Sequence, residues 1–250
     1  MKEFQSVDSI TLESVSLKIG SKLILSDLNL SLSNSGINCI LGPNGSGKSL
    51  TNKIISLLLG PTTGEIKWNN KSITNFTIPQ KAILRRQIGY MAQKPIFLKK
   101  SLFENIELPL IIRNIPREQR QTLVDKGLKE FDLFEYRNNS PYKLSLGQQQ
   151  RASFLRTMIY HPQVLILDEP TSALDPSNTL WFENYITNNV DELQFVLLTT
   201  HDQFQVKRIA DKVNFIIGGK VVHSGSVSNM YHTSNNQVQK YLSGDLDLLD

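Results

Sequence analysis

The sequence is poor in cysteine and histidine, and both shortages limit the kinds of site that it can build. Its one cysteine, Cys39, cannot form an internal disulfide bond and lies in the apolar stretch 37–41, so we interpret it as small core filler. The four histidines, at positions 161, 201, 223 and 232, do not have the spacing of zinc ligands. We therefore expect neither a disulfide framework nor a structural zinc site.

Long apolar runs are also missing. The runs that occur are short, such as residues 164–167 and 195–198, whereas a membrane-spanning helix needs about 20 mostly apolar residues. The first eight residues contain no apolar stretch of the kind that a secretory signal peptide requires. These two absences predict a chain that does not cross a bilayer by itself and that stays in the cytoplasm.

Charge of one sign does not dominate. The 27 lysines and arginines exceed the 23 aspartates and glutamates by four, and no basic run is interleaved with aromatic residues. We therefore predict no nucleic-acid partner. The 40% of hydrophobic residues is typical of a globular chain, and 250 residues are enough for one domain with a sizeable core.

Hydrophobic periodicity predicts two kinds of sheet. Residues 10–32 alternate between apolar and polar side chains, with breaks at Gly20-Ser21 and Ser26-Asp27, which is typical of half-buried antiparallel strands. Nearly continuous apolar runs, typical of buried parallel strands, occupy residues 37–41, 164–167 and 195–200. We predict an α/β fold with a mostly parallel core sheet.

Helical patterns surround these predicted strands. Residues 48–59 and 179–188 have helical composition, and the first of these helices is stopped by Gly60-Pro61. Between residues 118 and 134 apolar positions recur at helical spacing, and Pro116 stands at a plausible first position, N1, of that helix. We interpret residues 94–143 as a helical insertion. A last helix is expected around residues 238–242, and residues 245–250 are left without an assignment.

A glycine-rich loop joins the predicted strand 37–41 to the helix that begins at Lys48. It fits the spacing G-x-x-x-x-G-K-[ST] with the residues Gly42, Pro43, Asn44, Gly45, Ser46, Gly47, Lys48 and Ser49. The backbone N–H groups of such a loop point at phosphate oxygens, and the helix N-terminus adds partial positive charge. Lys48 would neutralise the β- and γ-phosphates, and the Ser49 hydroxyl would bind Mg²⁺.

Two adjacent carboxylates follow the predicted strand 164–167. Asp168 stands at its carboxyl end, where it can hold the Mg²⁺ shell beside the phosphate loop. Glu169 comes next, and a second carboxylate beside a metal-bound phosphate is suited to orienting or deprotonating the attacking water. The alternative is that Glu169 is an ordinary helix-cap carboxylate before Pro170.

The stretch Leu144-Ser145-Leu146-Gly147-Gln148 resembles the signature motif of the nucleotide-binding subunits of ATP-binding cassette (ABC) transporters. The resemblance extends from residue 10 to about residue 225, and its further motifs have candidates in Gln93, in Ser172-Ala173-Leu174-Asp175 and in His201. It implies a P-loop NTPase fold of the ABC ATPase kind, with an N-terminal antiparallel β subdomain and an inserted helical subdomain. It also implies ATP and Mg²⁺ as cofactors.

The same resemblance implies roles for individual residues. Lys48, Glu169 and His201 would be catalytic, and His201 would form a hydrogen bond with the γ-phosphate. Mg²⁺ would be held by Ser49, Gln93 and Asp168. Further contacts to ATP would come from Leu50 and Ile19. Asp175 would communicate across a dimer, and the contacts to ATP of the opposite subunit would be made by Ser145, Leu146, Gly147 and Gln148. Two copies would therefore sandwich two ATP molecules as a homodimer.

Two positions depart from the family pattern. Leu146 stands where the family usually has glycine, and we expect its side chain to turn away so that Gly147 alone supplies the close backbone approach. Ile19 stands where the family often has an aromatic residue that stacks on adenine, so we expect weak selectivity for the base.

The resemblance divides one ABC ATPase domain into four parts. The antiparallel and phosphate-loop part is 10–93, the helical subdomain 94–143, the signature motif with the rest of the core 144–225, and the C-terminal tail 226–250. Within the stretch 94–103, Ile96, Phe97 and Leu98 suit a docking surface for a membrane subunit, although they could also be core residues.

The implied function is that of the ATP-hydrolysing subunit of a transporter, peripheral on the inner face of the cell membrane. It would energise import through a separate transmembrane permease, with an extracytoplasmic solute-binding protein in the same system. Local strings such as Gly64-Glu65-Ile66-Lys67-Trp68 favour an inorganic oxyanion, namely tungstate, molybdate or phosphate, as the solute. The alternatives are a lipid-trafficking ABC ATPase, a soluble ABC protein outside transport, and a phosphotransferase with the same phosphate loop.

Overall fold

The computed structural model describes residues 6–190, 193 and 195–244. The strands are β1 (Ser9–Ile19), β2 (Lys22–Ser33), β3 (Ile37–Leu41), β4 (Thr63–Trp68), β5 (Lys71–Ser72), β6 (Ile88–Met91), β7 (Val164–Asp168), β8 (Phe195–Thr200), β9 (Lys212–Ile217) and β10 (Lys220–Ser226). The α-helices are α1 (Lys48–Ile55), α2 (Ile78–Arg85), α3 (Leu102–Ile112), α4 (Arg117–Glu130), α5 (Leu146–Met158), α6 (Pro176–Asn188), α7 (Gln203–Ile209), α8 (Val227–Tyr231) and α9 (Asn236–Ser243). Residues 245–250, which the sequence left unassigned, lie outside the described residues.

The first sheet is antiparallel and has the strand order β2-β1-β4-β5. Strands β1 and β2 form a hairpin at Gly20-Ser21, as the alternation predicts. The second predicted break was wrong, because β2 continues through Ser26-Asp27. Between the pairs Val15–Leu28 and Leu17–Leu25 the register shifts, and Asp27 adopts φ 50°. The polar interruption is therefore accommodated as an irregularity of one long strand.

The second sheet is mostly parallel, as predicted, with the order β10-β9-β3-β8-β7-β6. Strands β9, β3, β8, β7 and β6 run parallel, and β10 pairs with β9 in the antiparallel direction. Side chains of consecutive residues point to opposite faces of a strand. Accordingly Ile166 joins the core shared with the antiparallel sheet, whereas Leu165 and Leu167 join the core beneath the helices. Both faces are buried, which explains the continuous apolar runs.

Helices α3 and α4 lie within the predicted helical insertion. Helix α3 begins with a capping box, in which Ser101 and Glu104 satisfy each other's backbone N–H groups. Pro116 occupies the N-cap of α4 rather than the predicted first helical position. Helix α4 also ends at Glu130, earlier than predicted, because the chain turns at Asp132 with φ 56°. Two short 3₁₀ helices, Phe134–Tyr136 and Pro141–Lys143, lead to α5.

Two other helix boundaries differ from the prediction for local reasons. Helix α1 ends at Ile55 and not at residue 59, since the chain leaves the helical conformation at Leu57 with φ 59°. Helix α6 begins at Pro176, three residues early, because Asp175 caps it and proline is well suited to the first helical position. Among the described residues, none of the helices is long and apolar enough to span a membrane.

Candidate functional site

Four segments of polar residues follow four neighbouring parallel strands. The glycine-rich loop follows β3, His201 follows β8, Asp168 ends β7 with Glu169 after it, and Gln93 follows β6. The carboxyl ends of parallel strands lie at one edge of the sheet, and such edges are where open α/β sheets place their ligands. Tertiary structure thus brings together segments that are up to 159 positions apart in the sequence, from Gly42 to His201.

The loop between β3 and α1 has a backbone that only small residues allow. Gly45 and Gly47 adopt φ 80° and φ 103°, in the left-handed region that favours glycine. At Gly42 a Cβ atom would overlap the carbonyl oxygen of Ile216 on β9. The loop can therefore lie close against β9 and turn sharply into α1, and Gly47 forms the N-cap of that helix.

Lys48 is buried at the start of α1, and its ammonium group is held inside the curve of the loop. Its Nζ donates to the carbonyl oxygens of Gly42 and Pro43, at 2.9 and 3.0 Å. The same Nζ lies 3.2 Å from Oε1 of Glu169. Burial makes this charge pair electrostatically strong, because little water screens it.

Asp168 is held by three hydroxyl groups. Ser49 Oγ and Thr199 Oγ1 donate to its Oδ1 at 3.0 and 2.8 Å, and the Tyr90 hydroxyl donates to its Oδ2 at 3.1 Å. Burial and the negative charge of Asp168 raise the pKa of Tyr90 well above its ordinary value, so that the phenol stays a proton donor. The carboxylate is therefore fixed in orientation.

Glu169 is buried and adopts φ 45°. Its Oε2 accepts from Gln93 Nε2 at 3.2 Å and lies 3.0 Å from Nδ1 of His201. Positive φ is uncommon for a residue with a side chain, and such backbone strain is concentrated at functional sites. With this backbone conformation the Glu169 carboxylate faces Lys48, Gln93 and His201.

Lys48, Glu169 and their partners Gln93 and His201 line one pocket, whereas Asp168 is not among its lining residues. The pocket is bounded by Ile24, Asn44, Gly45, Gly47, Lys48, Ser49, Leu50, Gln93, Glu169, Ser172, Ala173 and His201. Of the described residues on the N-terminal hairpin, Ile24 contributes to this lining and Ile19 does not. Ile19 ends β1 with 54% of its side chain exposed.

The residues predicted to face a second subunit lie outside this pocket and form a cluster of their own. Ser145 caps α5, and Gln148 completes its capping box. Leu146 is 46% exposed on this chain. Gly147 is buried beneath the side chain of Asn178 on α6, whose N-cap is Asp175. The signature motif and Asp175 are therefore neighbours within one chain.

The structure divides the apolar stretch 96–98. Ile96 and Leu98 are 71% and 46% exposed, whereas Phe97 is 4% exposed and packs in the core beneath the helices. The prediction that all three form a surface was wrong for Phe97. Its ring is turned inward, against Tyr142 and Arg156.

Sequence reasoning missed several residues that shape the site. Tyr90 and Thr199 orient Asp168, and Gln150 on α5 donates to the carbonyl oxygen of Gln93 at 2.9 Å. Tyr241 on α9 donates to the carbonyl oxygen of His201. All four contacts join elements that are distant in sequence. Only Tyr90 and Thr199 carried a local signal, because both lie near the ends of predicted or observed strands beside the site.

The donor set beside the loop suits a small divalent cation. Ser49 Oγ and Asp168 Oδ1 lie 3.0 Å apart, and Gln93 adds an amide oxygen at the pocket wall. Mg²⁺ prefers oxygen ligands and is commonly held by one or two carboxylates together with phosphate groups. The hydroxyl, carboxylate and amide oxygens present therefore fit this ion.

Comparisons with known proteins agree with this geometry. Residues 25–172 match the family model described as ABC transporter. The methionine import ATP-binding protein MetN 1 of Bacillus cereus is 36% identical over 77% of this chain, and the chain spans 56% of that relative's length. The phosphate import ATP-binding protein PstB of B. cereus is 32% identical over 93% of this chain and 89% of its own length.

Solved structures show the same fold. A dimeric post-hydrolysis structure of the ATP-binding cassette MJ0796, bound to ADP and Pi, superposes with a TM-score of 0.79. It is 28% identical, and the match covers 87% of this chain and 98% of that one. The structure of cbiO1 from Clostridium perfringens has a TM-score of 0.80 at 24% identity and covers 95% and 96% of the two chains.

Proposed function

The chain belongs to the ABC transporter family, and we propose that it is the ATP-binding and ATP-hydrolysing subunit of an import system. The observation that supports this most strongly is the single pocket that joins the glycine-rich loop to Gln93, Glu169 and His201. A phosphate-binding loop, an acidic residue and a polar group facing the same space are what phosphoryl transfer to water requires.

ATP binds in this proposal with its phosphates in the loop between β3 and α1. The N–H groups of Gly45 and Gly47 and the N-terminus of α1 face the phosphate oxygens, and Lys48 neutralises the β- and γ-phosphates. Leu50 and Ile19 complete the contacts, with Ile19 on the base. Ser49, Gln93 and Asp168 would hold Mg²⁺, whose positive charge would offset the negative charge of the phosphates.

Glu169 is the general base of the proposed hydrolysis. Its carboxylate accepts a proton from the attacking water while the water oxygen bonds to the γ-phosphorus. The bond from that phosphorus to the β–γ bridging oxygen breaks, which leaves ADP and phosphate. His201 donates to a γ-phosphate oxygen in this proposal, which is supported by the 3.0 Å distance between its Nδ1 and Oε2 of Glu169.

The working unit is a homodimer that sandwiches two ATP molecules. Ser145, Leu146, Gly147 and Gln148 of one copy face the ATP of the other, and Asp175 contacts the partner. The dimeric MJ0796 structure with ADP and Pi supports this arrangement, since its fold matches over 87% of this chain. Closing the dimer on ATP is the conformational change that a transporter can use.

A separate membrane permease receives this change. The surface formed by Ile96 and Leu98 lies directly after Gln93, so a permease segment docked there would sense the nucleotide pocket. This partner places the chain at the inner face of the cell membrane. An extracytoplasmic solute-binding protein completes the proposed system, as the import names of the relatives suggest.

The proposed solute is an inorganic oxyanion of the phosphate type. The PstB relative supports it, because that match extends over 93% of this chain and 89% of the relative. Methionine is the second candidate, supported by the 36% identity of the MetN 1 relative. Uptake of labelled phosphate, tungstate and methionine by vesicles that contain the purified complex distinguishes them. If the protein instead serves lipid trafficking, the vesicles should take up none of these three solutes.

Substitution Glu169→Gln tests the hydrolytic site. The amide keeps the size of the side chain but cannot accept the proton, so we expect ATP binding to persist, hydrolysis to fall by about 10³-fold, and ATP to hold the chain as a dimer. ATP turnover and light scattering measure these outcomes. Glu118→Gln on α4 is the control and should behave like the wild type. A monomeric, fully active Glu169→Gln variant would exclude this role.

A further inference from the structure

Asn178 on α6 lies directly against Gly147 on α5. A Cβ atom at position 147 would lie 2.8 Å from Nδ2, 2.9 Å from Cγ and 3.0 Å from Oδ1 of Asn178. Real Cβ atoms essentially never approach other heavy atoms within 3.0 Å. The carboxamide therefore covers Gly147 from within the same chain, and a larger residue at position 147 would fit only if the Asn178 side chain moved away.

The orientation of this carboxamide is set by Asp175. Asn178 Nδ2 donates to Asp175 Oδ2 at 2.7 Å, and the Asn178 backbone N–H donates to Oδ1 at 2.9 Å. Ser177 Oγ donates to Oδ1 at 2.6 Å. The bonds from Ser177 and Asn178 together lower the pKa of Asp175 well below its usual range.

We propose that Asn178 is a positioning residue that fixes the Asp175 segment to the first turn of α5, so that both meet the second copy as one rigid unit. The inference rests on the proposed function, because it assumes that these two segments face a partner subunit. Ser145, Leu146 and Asp175 are all exposed on this chain, as such a role requires.

The physical advantage of this coupling is preorganisation. Association costs free energy when exposed segments must be ordered at the interface, and segments that are already fixed to each other avoid part of that cost. Asn178 connects the two because its carboxamide donates to Asp175 and also lies against Gly147. Without it, Asp175 still caps α6 through backbone N–H groups, but α5 and the Asp175 segment lose this connection.

The first test compares Asn178→Ala with Ser177→Ala, which removes one bond to Asp175 without touching Gly147. Both are made in the Glu169→Gln background for dimerisation and in the wild type for turnover. We expect Asn178→Ala to weaken ATP-driven dimerisation and to lower kcat by about tenfold, with nucleotide affinity of the monomer unchanged. Ser177→Ala should change dimerisation by less than about threefold.

Asn178→Asp separates the proposed bond from simple packing. The carboxylate has nearly the same shape above Gly147, but it cannot donate to Asp175 and repels it. The proposal predicts a loss at least as large as that of Asn178→Ala. Dimerisation equal to the wild type would show that Asn178 only fills space and would overturn the proposal.

The contact itself is tested with Gly147→Ala. In the wild type the new methyl group meets Asn178, whereas in an Asn178→Ala background that obstacle is gone. We expect Gly147→Ala to impair dimerisation about tenfold more in the first background than in the second. Equal losses in both backgrounds would mean that Gly147 is constrained from elsewhere, which contradicts the inference.

Failure of this inference can be told from failure of the proposed function. If the Glu169→Gln variant forms no ATP-dependent dimer, the proposed function is wrong, and the inference that rests on it is overturned as well. If Glu169→Gln dimerises and Asn178→Ala dimerises equally well, only the inference is wrong. Circular dichroism and thermal unfolding of each variant confirm that the comparison is between folded chains.

Discussion

The guanidinium group of Arg156 lies over the aromatic ring of Phe97, with 4.9 Å between its central carbon and the ring centroid. Tyr142 packs edge-on against the same ring at 6.2 Å and donates its hydroxyl to the Phe97 carbonyl oxygen at 2.6 Å. Phe97 therefore joins the stretch after β6 to the residues around α5. Its neighbours Ile96 and Leu98 are left facing outward.

Ile96→Glu and Leu98→Glu should uncouple ATP hydrolysis from transport. Both side chains are exposed, so a charge there costs little stability, but it places a hydrated group on the proposed docking surface. We expect ATP turnover by the isolated subunit within about twofold of the wild type and co-purification with the permease reduced by about tenfold or more. Pull-down from membranes and solute uptake measure this.

Two further substitutions give this experiment its controls. Leu58→Glu changes a leucine that is similarly exposed at the turn after α1, and it should leave permease binding unchanged. Phe97→Glu should instead destabilise the fold by about 3 kcal/mol or more, because it removes a buried ring and buries a charge. Normal transport by Ile96→Glu and Leu98→Glu would contradict the assignment of the docking surface.

Lys48→Ala should weaken ATP binding by at least about tenfold, since a charge-assisted contact to phosphate is lost. Isothermal titration with ATP measures the change. Lys53→Ala, on the exposed side of the same helix, is the control and should bind as the wild type does. Unchanged affinity in Lys48→Ala would overturn the assignment of the phosphate loop.

Selectivity for the base should be weak in the wild type. Ile19 offers apolar contact without stacking, so GTP should compete with ATP at similar concentrations. Ile19→Tyr should tighten ATP binding by about tenfold, because base–aromatic stacking contributes about 1–3 kcal/mol. Leu23→Tyr, exposed on the same hairpin, serves as the control. A large preference of the wild type for ATP over GTP would refute this expectation.

The stability that Asp175 contributes should depend on pH in a defined direction. Hydrogen bonds from Ser177 and Asn178 lower the pKa of Asp175 in the folded chain, whereas the pKa of an aspartate in an unfolded chain is about 3.9. A group whose folded pKa is depressed stabilises the fold above the unfolded pKa and loses that contribution as pH falls through the folded pKa.

Asp175→Asn isolates this contribution, because asparagine can still cap a helix but does not ionise. The wild type should have the larger free energy of unfolding at pH 6, and its advantage should shrink steadily below about pH 4. Urea unfolding of the nucleotide-free chain at several pH values measures the difference. A difference that stays constant with pH would show that ionisation of Asp175 does not matter.

Much of the fold follows from local patterns in the sequence. The apolar runs of β3, β7 and β8 predict buried parallel strands, and the structure confirms them. Helix boundaries were less predictable, as at Leu57 and Asp132, where residues with side chains adopt positive φ. No local sequence pattern predicts positive φ at these two residues, because the conformation is imposed by the packing of the segment that follows.

The candidate site was predictable where its residues are consecutive. The spacing of Gly42, Lys48 and Ser49 specifies a loop that exposes backbone N–H groups at a helix start, and this arises from bond geometry within eight residues. The position of Asp168 at a strand end follows in the same way.

Only the tertiary structure decided the remaining relationships. That Phe97 points inward while Ile96 points outward depends on Arg156 and Tyr142, which are about 50 positions away. The contact between the Asn178 side chain and Gly147 depends on how α6 packs on α5. The sequence by itself determines periodicity and loop chemistry, because these are set by neighbouring backbone dihedrals. Which side chains meet across distant elements is set by packing, since the core admits one close arrangement of all of them together.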